Sequence, residues 1–203
     1  MKKNKAFTLI EMMVATSIFI IIMMMAMGAL LVSSDAAKQA QGLREAMDNV
    51  NFAMDSMTRS LRIGSHYYCL QGNLDLDTSV PGAGYFLAAV NGNDCTIAAG
   101  NPSTAVAFIP ASSTDIPAGT AVAYVNNPRG DGTSRLQRCT KTGCIDMVAS
   151  NVDVQKLEFF VTGSNPSDKI QPSVYILMQG TVTVKNTPTT FAIQTMASQR
   201  SSE

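Results

Sequence analysis

The chain is 203 residues long, with 46% hydrophobic, 15% charged and 6% aromatic content, enough for one domain with a real core and short for two. Fifteen Lys and Arg balance fifteen Asp and Glu at zero formal charge, so the diffuse positive field of a nucleic-acid binder is missing and no nucleic-acid partner is expected. The charged fraction falls below the roughly 25% of ordinary soluble domains, and the apolar excess is local, since seven of the thirteen Met lie within the first 27 positions.

Met1-Lys2-Lys3-Asn4-Lys5-Ala6 carries three cations and no anion, and Phe7 to Val32 then runs 26 residues with one charge, Glu11. At about 1.5 Å of rise per residue such a helix spans roughly 39 Å, more than the roughly 30 Å of bilayer hydrocarbon. The basic flank predicts a cytoplasmic N-terminus, with everything after Val32 across the membrane. An ordinary secretory signal has an apolar core of about 7 to 15 residues that ends in a small-x-small cleavage site. Here the small residue, Ala6, comes before the apolar run. A carboxylate at the bilayer centre costs at least about 2.5 to 3.5 kcal/mol unless paired, so Glu11 requires either a partner or a hydrated interface to snorkel to.

The run Lys5-Ala6-Phe7-Thr8-Leu9-Ile10-Glu11-Met12-Met13-Val14-Ala15 resembles the class III signal of type IV pilins and type II secretion pseudopilins. The resemblance implies that a prepilin peptidase cuts on the cytoplasmic side between Ala6 and Phe7 and methylates the new N-terminus. Ala6 stands where the family usually has Gly. It further implies that Glu11 meets the Phe7 amine of a neighbouring subunit and so aligns subunits during assembly. Loss of the leader leaves twelve basic against fifteen acidic groups, a mature balance of −3.

After Val32 the composition turns polar, yet Ala36, Ala40, Leu43, Met47, Val50, Met54, Met57 and Leu61 recur at alternating steps of four and three. That spacing predicts a helix with one apolar face, and no Pro precedes Pro81 to interrupt it. Gly64 is the natural stop. A helix from Phe7 to Ile63 is roughly 85 Å long, the proportions of a filament shaft. For residues 43 to 61 the stripe is read as packing against the chain's own sheet in preference to an intermolecular coiled coil. Gly28 and Gly42 are its weak points, at about 1 kcal/mol each relative to Ala.

From Ser65 onward, clusters of Gly, Pro, Asn, Thr and Ser separate short apolar runs, the pattern of a β-rich domain. Strands are expected at Tyr85 to Val90, Ala105 to Ile109, Thr120 to Asn126, Arg135 to Cys139, Ile145 to Ala149, Val152 to Thr162, Ser173 to Val184 and Thr190 to Met196, with turns at 127–133 and at Thr187-Pro188. Connected as an antiparallel meander beside the helix, they form an α+β fold, which the resemblance implies is the pilin fold. The organisation expected is a leader at 1–6, a transmembrane and assembly helix at 7–32, its amphipathic continuation at 33–64 and a β-rich head at 65–203. Leu136-Gln137-Arg138 and Val154 to Phe160, followed by paired C-terminal strands, resemble the J-type minor pseudopilins and the W-type minor pilins. No long extra helical domain like that of the K-type tip subunit is present.

The four cysteines, Cys69, Cys95, Cys139 and Cys144, all fall on the translocated side, where disulfides persist. Four cysteines allow three pairings. The short Cys139 to Cys144 separation with Gly143 inside it suits a hairpin staple, so Cys69 is expected with Cys95 and Cys139 with Cys144. Zinc is the poorer reading, because the spacings do not match those of zinc fingers. One histidine, His66, beside Tyr67 and Tyr68, offers no triad, and it is read as a packed or solvated junction residue. Asn73, Asp75 and Asp77 alternate oxygens as a calcium loop does, but Thr78 and Gly84 occupy the frame's Gly and Glu positions, which excludes an EF-hand. A looser calcium site there, with Asp94, is the alternative, and no cofactor is expected.

The sequence therefore reads as a non-enzymatic minor pilin or pseudopilin that sits in the inner membrane by one span and enters a type II secretion pseudopilus or a type IV pilus, priming it at the tip. The partners expected are prepilin peptidase, other pilin-type subunits, the inner-membrane assembly platform and membrane lipid. The alternatives are a single-pass anchored extracytoplasmic binding module and, within the class, a competence pseudopilin for DNA uptake.

Overall fold

The computed structural model describes residues 8–70, 92–95, 102–110, 121–140, 142–165, 167 and 169–200. Among the described residues one helix, α1 (Leu9–Ile63, 55 residues), is followed by antiparallel strands, an α+β pilin-like fold. The chain divides into two compact units, Met1–Gly42 and Leu43–Glu203.

In the first unit α1 is long and apolar enough to cross a membrane. Every described residue from Thr8 to Gln41 is exposed. Phe19, Ile20, Ile21, Leu30 and Leu31 each expose more than half of their surface, a surface that water does not solvate cheaply and that lipid or neighbouring apolar helices do.

In the second unit the helix changes character. Ala46, Val50, Ala53, Met54, Met57 and Leu61 are buried, and Leu43 and Met47 are partly buried against them. These positions follow the three- and four-residue steps of one helical face, so the expected stripe from 43 to 61 packs into its own head. The helix stops at Gly64, whose N–H bonds the Leu61 carbonyl at 3.1 Å. A Cβ at Gly64 would collide with the Phe108 ring, so this stop leaves no room for a side chain.

Among the described residues eight strands follow: β1 (Ser65–Leu70), β2 (Ala105–Ile109), β3 (Val122–Pro128), β4 (Ser134–Thr140), β5 (Gly143–Asp146), β6 (Val152–Thr162), β7 (Ser173–Val184) and β8 (Thr187–Ser198). They form two antiparallel meanders, β1-β2-β3-β4-β5 and β6-β7-β8. One core joins the helical stripe to Val106, Phe108, Tyr124 and Leu136 of the first sheet and to Leu157, Phe159, Ile176 and Met178 of the second. The other face of the first sheet carries a smaller cluster built from Ala105, Ala107, Ala123, Val125 and Cys139, which is why β2 is buried at every position.

The expected strands at 105–109, 152–162 and 173–184 have those bounds in the structure. Three expectations require correction. Residues 65–70 form β1, which the sequence reading treated as junction. The strand expected to reach Ala149 ends at Asp146: the Met147 N–H still bonds the Leu136 carbonyl of β4 at 2.9 Å, but the Ala149 N–H turns away from the sheet to Asn49 Oδ1 on α1 at 2.8 Å. The last hairpin turns at Lys185 and Asn186, with φ of 47° and 65°, the two left-handed residues of a type I′ turn. Thr187-Pro188 instead opens β8. The strand expected at Tyr85 to Val90 lies outside the described residues.

Within β6 the buried positions shift phase, from Val152 and Val154 to Leu157, Phe159 and Val161. The register slips between Asp153 and Lys156, so that two β6 residues oppose Gly180 alone. This is a β-bulge, and Gly180 is the residue that admits it: a Cβ there would run into the Asp153 carbonyl and the Phe191 ring.

Candidate functional site

The N-terminal site is a helix start. Thr8 precedes α1 and caps it: the Glu11 N–H lies 3.1 Å from the Thr8 carbonyl and 3.4 Å from its Oγ1, and the Met12 N–H lies 3.3 Å from the same carbonyl. Thr-x-x-Glu is the spacing of a capping box, in which the threonine hydroxyl satisfies an orphan N–H of the first turn. Glu11 thereby falls in the first turn, where the helix macrodipole favours an anion. Its side chain is exposed, and no described residue forms an ion pair with it. The next polar side chains are neutralised by their own helix. Thr16 Oγ1 donates to the Met12 or Met13 carbonyl, both at 3.0 Å, and Ser17 Oγ to the Val14 carbonyl at 2.9 Å. Hydroxyls bonded in this way carry no unsatisfied donor into an apolar medium. Glu11 is therefore the one charged group on an otherwise apolar surface from Leu9 to Val32. Ala6 and Phe7, the expected cleavage pair, lie outside the described residues.

In the head, Cys69 is bonded to Cys95 and Cys139 to Cys144. Cys95 exchanges two backbone bonds with Val161 of β6, each 2.9 Å, while the Cys69 N–H donates to Asn93 Oδ1 at 2.6 Å. The first disulfide thus ties β1 of one sheet to a segment docked on β6 of the other. The second spans the paired residues Cys139 and Cys144 of the β4–β5 hairpin.

No described group of three or more His, Cys, Asp or Glu could hold a metal ion. Asp94, weighed as a calcium ligand, accepts the backbone N–H groups of Gly163 and Ser164 at 3.2 and 2.7 Å, the work of a loop clamp. Its proposed companions Asn73, Asp75 and Asp77 lie outside the described residues. His66, half-buried with Nδ1 3.1 Å from Ser65 Oγ, lines an open cleft of about 240 Å³ with Lys169, Asn165 and Ile170. Among the described lining residues there is no carboxylate and no thiol.

Residues 1–27 match the family model described as the prokaryotic N-terminal methylation motif. The chain carries the type IV pilin and pseudopilin signature. The matched residues take in the basic start of the chain, the Thr8 cap, Glu11 and most of the apolar run at 7–32. No curated protein and no solved structure matches the chain. The signature is that of a structural subunit family whose members engage prepilin peptidase and other pilin subunits, and the single apolar helix fits single-pass anchoring in the inner membrane.

Sequence reasoning placed the four cysteines in the two pairs that the structure holds and singled out Glu11, which lies in the first turn of α1. It missed the capping role of Thr8, whose signal was the Thr-x-x-Glu spacing itself, and the part played by Tyr67. The Tyr67 hydroxyl lies 2.5 Å from the Leu61 carbonyl and 2.9 Å from that of Gly64, closing the C-terminus of α1 from inside the core. A Tyr shortly after a helix stop carries no sequence signal for that role.

Proposed function

We propose that the chain is a minor pilin or pseudopilin, cut by prepilin peptidase between Ala6 and Phe7, methylated at Phe7, and inserted from the inner membrane into a type II secretion pseudopilus or a type IV pilus. In this reading residues 1–6 are the leader, 7–32 the membrane and assembly helix with its N-terminus cytoplasmic, 33–64 the continuation and 65–203 the translocated head. Glu11 pairs with the Phe7 amine of a neighbouring subunit, and the subunit primes the filament tip together with the inner-membrane platform. The role requires no cofactor and no catalysis. The observation that carries it is the methylation motif at 1–27 on a helix whose apolar surface is uncovered and interrupted only by Glu11. The length of the chain and the texture of Leu136 to Arg138 and Val154 to Phe160 support the minor J-like or W-like assignment.

The test is intact-mass measurement of the membrane-extracted protein with its N-terminus read by peptide sequencing. A chain starting at Phe7 with one added methyl group is the expected result. A chain that starts at Met1 in a cell with active prepilin peptidase overturns the reading and leaves a permanent single-pass anchor for a binding module.

A further inference from the structure

We propose that the outer edge of β8 pairs antiparallel with the β8 edge of a second copy of this chain, joining two three-stranded sheets into one of six strands. β8 is the terminal strand of its sheet, twelve residues long. The two-residue turn at Lys185 and Asn186 makes Val184 and Thr187 the closing pair. Ladder bonds to β7 therefore fall on every second residue from Thr187. The backbone N–H and C=O groups of Thr190, Ala192, Gln194, Met196 and Ser198 point away from β7, and Pro188, which has no N–H to offer, occupies the same outward phase. Among the described residues nothing pairs with this row.

Long edge strands are normally blunted by charge, by several prolines or by a bulge. Here β7 and β8 together contain no Asp, Glu, Lys or Arg in a chain that is 15% charged, the register from Val184↔Thr187 to Ser173↔Ser198 runs without a slip, and the one proline stands at the strand's start. The core also runs out at this edge, where Phe191 and Ile193 are only partly buried; on the opposite face Met196 is 56% exposed, in register with Tyr175 and, through it, with Phe160.

The identity of the occupant follows from what β8 presents. A two-fold pairing centred on Gln194 sets Gln194 against Gln194, Ala192 against Met196 and Thr190 against Ser198 on the outward face, and Phe191 against Ala197 and Ile193 against Thr195 on the core face. Each large side chain meets a smaller one, hydroxyl meets hydroxyl and amide meets amide, the cross-strand pairs that stabilise sheets. A charge next to Gln194 would be brought close to its own like-charged copy in such a pair, and β8 carries none. The pairing stands on the head alone and does not depend on the filament reading.

The test uses the full chain in the membrane, whose native cysteines are all in disulfides. Gln194→Cys introduces one exposed thiol directly opposite its copy, at the roughly 5.5 Å Cα separation of a hydrogen-bonded antiparallel pair, within disulfide reach. Mild oxidation is expected to give a reducible species of twice the monomer mass. Gln179→Cys, exposed on the central strand β7, is expected to give none, and adding Ala192→Lys to Gln194→Cys should lower the yield at least about tenfold by setting a charge on the shared edge. Intact native disulfides in each variant show that the head has folded. The proposal is overturned if Gln194→Cys stays monomeric, if Gln179→Cys cross-links equally, if Ala192→Lys has no effect, or if the adduct contains a different chain.

Discussion

Tyr67 is fully buried, and its hydroxyl is the group that closes the C-terminus of α1. Tyr67→Phe removes that bond while keeping the ring, which also packs near Phe108, and leaves a helix-end carbonyl without its donor. A loss of about 1 to 2 kcal/mol is expected, read as a lower urea midpoint of the detergent-solubilised chain. Burial pushes the Tyr67 hydroxyl well above its ordinary value of 10.0. It also raises Tyr124, where Ser60 and Arg138 beside the hydroxyl act the other way. Above pH 10.0 the unfolded chain releases these protons while the folded chain keeps them, so stability is level below that point and falls as the pH rises past it. The double variant Tyr67→Phe, Tyr124→Phe should flatten that alkaline limb, measured as midpoints from about pH 8 to about pH 11. Gly180 makes the complementary case at the scale of one methyl group. Gly180→Ala sets a Cβ against the Asp153 carbonyl and the Phe191 ring, and destabilisation of about 1 to 3 kcal/mol is expected in the same assay.

At the scale of the element, legibility followed the strength of the local pattern. The stripe from Leu43 to Leu61 states its helical face by spacing alone, and the β-branched runs at 152–162 and 173–184 state their strands. Ser65 to Leu70 did not, although Tyr67, Tyr68 and Cys69 are good strand formers, because six residues directly behind a 55-residue helix lack room to establish a period. The strand's role is also non-local: β1 pairs with β2, some 40 residues further on, and is fastened by a cysteine that answers to β6. The turn at Lys185-Asn186 was misplaced by two residues because Pro188 resembles a turn former, and only the ladder reveals that its phase is the outward one. The two disulfides should differ in effect. In the chain-entropy account, the link across 26 residues of sequence stabilises by about 3.5 kcal/mol and the link across five by about 2 kcal/mol. Replacing Cys69 and Cys95 with Ala should therefore lower the urea midpoint more than replacing Cys139 and Cys144, whose partner strand β5 has no buried residue.

For the molecule as a whole, the decisive contrast is between a helix that is buried on one face from Leu43 and one that is exposed from Thr8 to Gln41. Such a surface is complete only with lipid or other subunits around it, and Glu11 separates these two environments. If Glu11 only reaches a hydrated interface, Glu11→Gln removes a charge from an apolar helix, making insertion easier by up to about 2.5 to 3.5 kcal/mol and leaving assembly untouched. If Glu11 meets the Phe7 amine of a neighbour, the same change strips that buried amine of its counter-charge, a loss of about 3 to 5 kcal/mol for breaking a buried ion pair. The two accounts predict opposite results for one substitution, since glutamine retains the shape and loses only the charge. The expected outcome is that Glu11→Gln reaches the membrane fraction at the wild-type level with both head disulfides formed, and is absent from sheared filaments or from cross-linked subunit ladders. Wild-type levels of the variant in those fractions would assign Glu11 to the interface alone.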